Sequence, residues 1–179
     1  MGVPHEVTIT VLAVLAIGAL VGMYVGWRRR SARTALQIGA LPPAPADSGV
    51  ALTSAIAASY VATTFHEQWL ERVAAHGLGV RGRATVTVHE HALVVERAGA
   101  PDLLLPATAL RRVGRSSGMV GKFVADASIV VVTWASTGPD GHEVLLDTGL
   151  RPDHSTERDV LEDALRSILS TAPAPKEQQ

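Results

Sequence analysis

The chain has 179 residues, 47% of them hydrophobic, with 16 Lys and Arg against 17 Asp and Glu. It contains no cysteine, which excludes disulfides and thiolate metal sites. Aromatic residues make up 4%, and residues 49–179 carry 12 basic against 15 acidic side chains, so neither a base-stacking platform nor general nucleic-acid binding is expected.

Residues 7–27 read VTITVLAVLAIGALVGMYVGW, with no charged side chain. As a helix this stretch is roughly 31 Å long, close to the ~30 Å hydrocarbon core of a bilayer. Arg28, Arg29, Arg30 and Arg33 follow it, while residues 1–6 carry Glu6 alone. The positive-inside rule therefore predicts a single-pass plasma-membrane protein with an external N-terminus and a cytoplasmic C-terminal part. A cleavable signal peptide would carry its basic residues before the apolar core, with small residues at its end. Here Met23, Tyr24 and Trp27 occupy that end, and the two aromatics suit the interfacial belt. Gly18, Gly22 and Gly26 recur every four residues and form a helix face for a helix–helix contact, such as a homodimer within the membrane.

Residues 28–49 read as a basic flank and a Pro/Ala-rich spacer, with Pro42, Pro43 and Pro45 favouring an extended chain. Residues 50–171 form one domain, and residues 172–179 a solvated tail. Residues 50–65 are uncharged, but they are too short and too rich in Ser, Thr and Ala for a second span. Their end predicts a strand, with Tyr60, Ala62 and Thr64 on one face and Val61, Thr63 and Phe65 on the other. Residues 67–76 (EQWLERVAAH) place Trp69, Leu70, Val73 and Ala74 at helical spacing, ended by Gly77. Residues 83–97 predict a hairpin that turns at His89, Glu90 and His91. A short strand is expected at 102–105, then a basic connection through Pro106, a Val-rich strand over 128–135, a GPDG turn, and a last strand over 142–148. The final element is a helix capped at Ser155 or Thr156, with Val160, Leu161, Ala164, Leu165, Ile168 and Leu169 as its apolar stripe. Pro173 and Pro175 stop it.

The order predicts an α+β protein, in which an N-terminal transmembrane helix precedes an antiparallel β-roll plugged by a C-terminal α-helix. That is a pleckstrin-homology-like (PH-like) layout. With YVATT at Tyr60, WLERVAAHGLG at Trp69, APDLLLPATALRRV, GMVGK at Gly118 and the VVTW strand, the chain resembles small actinobacterial membrane proteins that carry a bacterial PH-like domain. The resemblance covers nearly the whole chain and brings no catalytic signature. Some members of that group are labelled export or transporter proteins.

Among candidate sites, Arg111, Arg112, Arg115 and Lys122 fall within twelve positions free of acids, around the Gly-rich SSGMVG. Facing an anionic leaflet, each would add roughly 1 kcal/mol, with Met119 dipping into the interface. The bland alternative is a solvated loop whose arginines pair with nearby acids. No P-loop spacing is present, and His89 and His91 sit where a hairpin turns, so neither a nucleotide nor a metal site is expected. His66, His76 and His154 have no evident partners in the sequence. With no nucleophile elbow, HExxH or dinucleotide fingerprint, the reading is a non-enzymatic protein without a cofactor. Two functions follow: an adaptor holding a cytoplasmic protein at the bilayer, or a module binding anionic lipid or a small ligand through residues 111–122. A third, an accessory subunit of a transport or export system, draws only on the glycine face.

Overall fold

The computed structural model describes residues 5–119, 122–123 and 128–171. In chain order these form α1 (His5–Ile38), β1 (Ile56–Phe65), β2 (Gln68–Arg72), β3 (Gly82–Val88), β4 (Ala92–Arg97), β5 (Leu103–Pro106), β6 (Leu110–Ser116), β7 (Gly118–Met119), β8 (Lys122–Phe123), β9 (Ile129–Thr137), β10 (Glu143–Pro152) and α2 (Ser155–Thr171). Within α1, the segment Ile9–Arg29 is long and apolar enough to cross a membrane, and none of it is buried against the rest of the chain.

The helix does not stop at the arginines. Residues 31–38, expected in the spacer, continue α1, because SARTALQI offers Ala, Arg, Leu and Gln and no Pro or Gly. Gly39 ends it with a positive φ of 59°, and a Cβ there would collide with the Thr137 carbonyl oxygen. Ile38 is fully buried in the domain core. The Ser136 hydroxyl donates to the Ile38 carbonyl at 2.8 Å, and His76 Nε2 donates to the Gly39 carbonyl at 3.1 Å. The helix is thus plugged into the domain, and only the proline segment beyond it is irregular.

The sheet runs β5-β4-β3-β1-β10-β9-β6, antiparallel throughout, with β2 added beside β1. β1 holds the roll together. Its first half pairs with β3 on one side, while β10 runs along the other. Leu161, Leu165 and Ile168 of α2 are buried over the mouth, each worth roughly 2 kcal/mol in apolar burial. Val160, expected in that stripe, is 51% exposed, because it lies at the stripe's margin.

Three local expectations are corrected. Residues 67–76 are not a helix. His66 and Glu67 make a tight turn, with Glu67 at φ 63°, and Gln68–Arg72 folds back onto β1 as a strand before a 3₁₀ turn at Ala75–Gly77. A single ten-residue helix is marginal without a docking groove, whereas pairing with β1 satisfies the backbone directly. The basic connection after Pro106 is mostly β6, since Leu110 and Val113 turn to the core and β9 supplies the ladder. Finally, a bulge between Tyr60 and Ala62 shifts the phase of β1. Thr63 therefore shares the inner face with Tyr60, and Thr64 turns outward beside Asp147.

Candidate functional site

The three arginines of the basic segment go three ways. Arg111 binds Glu143 at 2.7 Å and donates to the Thr108 carbonyl, also at 2.7 Å. Arg115 reaches the opposite face of β6 and donates to Glu162 and, at 2.6 Å, to Asp159 of α2. Hydrogen bonding to the Glu162 carboxylate raises the Arg115 pKa further above its usual value. Glu162 is buried and also takes Arg166 at 2.5 Å. Arg112 makes no ion pair among the described residues, and its side chain is exposed. Met119 and Lys122 are paired by backbone in the β7–β8 hairpin, but their side chains, like those of Arg30 and Arg33, lie outside the described residues.

The loop that follows β6 departs where Ser116 pairs with Ile129. α1 docks at Ser136, seven residues along the same strand, or roughly 23 Å at 3.3 Å per residue. The loop thus leaves the sheet at the end away from the helix. A different surface lies beside the apolar helix. Trp27 shares a cavity of about 340 Å³ with Leu70, Arg72, Ala74, Gly79 and Val80. Leu70 and Val80 are well exposed there. Arg28 and Arg29 are exposed at the end of the apolar segment, and Gly18, Gly22 and Gly26 have open space around them.

One polar concavity was not legible in the sequence. Because cross-strand partners project from the same face, the register aligns Arg112 of β6, Thr133 of β9, Asp147 of β10 and Thr64 of β1 in one outward row. The neighbouring row is Gly114, Val131, Gly149 and Ala62, mostly small residues, which lowers the floor. The resulting cleft has a volume of about 210 Å³. His66, whose partner the sequence did not reveal, donates from Nδ1 to both Asp147 oxygens at 3.0 and 3.1 Å. The Thr133 hydroxyl donates to the same carboxylate at 2.6 Å. Only the bulge in β1 turns Thr64 and His66 toward Asp147, and small uncharged side chains around it give no periodic signal.

His89, Glu90 and His91 form the β3–β4 turn and hold the incoming chain: the Glu90 carboxylate accepts from the Val50 amide at 3.2 Å, and His89 Nδ1 donates to the Gly49 carbonyl at 3.1 Å.

The family model described as "Bacterial PH domain-like" matches residues 38–166. It begins where α1 enters the core and ends within α2. No curated protein matches the sequence. Among solved structures, a chain of the 8S snRNP assembly intermediate is similar at 11% identity, with a TM-score of 0.48 over 78% of this chain and 95% of that one. PH-like domains are generally non-catalytic binding modules. By its matched residues, the chain belongs to the bacterial PH-domain-like family.

Proposed function

We propose that the protein is a single-pass, non-enzymatic adaptor of the plasma membrane, whose PH-like domain holds a protein partner at the cytoplasmic surface. The observation that carries this reading is the free edge of β6. This seven-residue strand ends the main sheet path, and no described strand pairs with its outer side. An unpaired edge is a template for an added strand from a partner. The fixed Arg115 contacts to Asp159 and Glu162 hold α2 against β6, so the docking edge is rigid before any partner arrives.

The arginines after the apolar segment support a cytoplasmic domain. Trp27 at the end of that segment brings Leu70, Val80 and Arg72 to the depth of the headgroups. The lipid contact of this reading is therefore the rim around Leu70 and Val80, rather than Arg111, Arg115 or the loop that follows Ser116. Arg111 and Arg115 already have acidic partners, and a neutralised arginine adds little to lipid attraction. Self-association through Gly18, Gly22 and Gly26 is compatible with the adaptor role.

The test is photo-crosslinking in intact cells. A crosslinking residue at Ser117, exposed at the end of β6, is expected to capture one recurrent cytoplasmic protein. The same residue at Leu52, exposed on the β3 side, should not. Capture of lipid and self alone from both positions contradicts the adaptor reading.

A further inference from the structure

The outward cleft contains two features that folding alone does not explain. Thr64 is fully buried, yet its Oγ1 has no hydrogen-bond partner among the described residues. A buried hydroxyl without a partner is costly, and such atoms are uncommon in folded proteins. Arg112 is in the same cross-strand row, with no ion pair among the described residues, although its neighbours Arg111 and Arg115 are both paired. The Asp147 carboxylate between them is already occupied by His66 and Thr133. Its oxygens are therefore already engaged, and His66 is fixed with Nδ1 on the carboxylate. The Nε2 of His66 has no hydrogen-bond partner among the described residues and is available to a ligand.

We infer that this cleft is a binding site for a phosphate monoester. The Arg112 guanidinium presents paired N–H donors that match two phosphate oxygens. The Thr64 hydroxyl has a hydrogen to donate to a third. In the neutral tautomer set by Asp147, Nε2 of His66 accepts from a P–OH, and in the charged form it donates to a P–O⁻. The lowered floor at Gly114 gives room for the tetrahedral group in a space of about 210 Å³. The same chemistry is met by a soluble metabolite or by a phosphatidic acid headgroup. Neither source depends on the β6 edge, so the site stands or falls separately from the adaptor reading.

The test uses the full chain in nanodiscs, with thermal unfolding and titration calorimetry as readouts. Glycerol 3-phosphate is added to discs of neutral lipid, and phosphatidic acid is supplied in discs without soluble phosphate. Saturable stabilisation by glycerol 3-phosphate assigns a metabolite, and stabilisation by phosphatidic acid alone assigns the headgroup. Arg112→Gln is expected to weaken binding at least about tenfold, the loss of one charge-assisted bidentate contact. Thr64→Val should raise the melting temperature of the ligand-free protein by removing an unpaired polar atom, and reduce the ligand-induced rise. Arg111→Gln, outside the cleft, should leave binding within about twofold. No stabilisation by either phosphate source overturns the inference. So does binding that is indifferent to Arg112→Gln, or a lowered ligand-free melting point for Thr64→Val with unchanged ligand response.

Discussion

Tyr60 is fully buried, and its hydroxyl donates to the Leu78 carbonyl at 2.9 Å. That bond fixes the direction of the whole inner chain. Trp134 Nε1 can only donate, and it does so to Thr148 at 2.9 Å. Thr148 then donates to Thr63 at 2.7 Å, and Thr63 to Tyr60 at 2.6 Å. Every hydroxyl in this core chain accepts once and donates once. Arg97 lies 4.9 Å from the centre of the Tyr60 ring and donates to the carbonyls of His76, Gly77 and Pro101, tying two turns together. Tyr60→Phe is expected to cost about 1–3 kcal/mol, because it leaves the Leu78 carbonyl and the Thr63 hydroxyl short of a partner; denaturant unfolding in detergent micelles measures this. Burial also pushes the Tyr60 pKa up from 10.0 to about 12. The folded state therefore holds this proton more tightly than the unfolded state. The associated stability, about 3 kcal/mol, is complete below pH 10 and is lost as pH rises to about 12. Unfolding curves across that window should show the loss in the wild type and a shallower slope in Tyr60→Phe. Tyr60 was readable as a strand residue. That Thr63, and not Ala62, shares its face was not, because a bulge among Val61, Ala62, Thr63 and Thr64 leaves no hydrophobic mark.

At the scale of elements, the apolar N-terminal segment, the β3–β4 hairpin, β9 and α2 were legible, since each carries a long periodic or continuous apolar signal. β2 and β6 were not. β2 lies beside one strand only, and its residues Gln68 to Arg72 include helix formers, so pairing overrides propensity. β6 hides its pattern behind arginines that serve as partners on both faces. The docking of α1 was equally hidden, because Ile38 is one apolar residue in a spacer-like stretch. Ile38→Ala should cost about 2–5 kcal/mol as a core cavity, read as a lowered unfolding midpoint. It should also loosen the helix from the domain, seen as faster amide exchange at residues 36–40. Arg115→Gln leaves the buried Glu162 with Arg166 alone. Faster amide exchange in α2 is the expected result, strongest over its first three turns, with β3 and β4 unchanged.

The whole molecule combines an exposed apolar helix with a roll into which that helix is plugged. The doubled GxxxG face is open in the single chain, so Gly22→Ile should abolish self-crosslinking in membranes while leaving the domain folded. The general architecture was available from order and periodicity. The outward cleft was not, because it depends on register across four strands, with Thr64 and Arg112 48 residues apart in the chain. The adaptor account requires the domain to lie on the cytoplasmic side. The absence of cysteine makes this directly measurable, since one introduced thiol is the only thiol. Gly2→Cys and Ser117→Cys would be labelled in intact cells with a membrane-impermeant maleimide. With the domain in the cytoplasm, Gly2→Cys is expected to react from outside and Ser117→Cys only after permeabilisation. Labelling of Ser117→Cys in intact cells would contradict that placement.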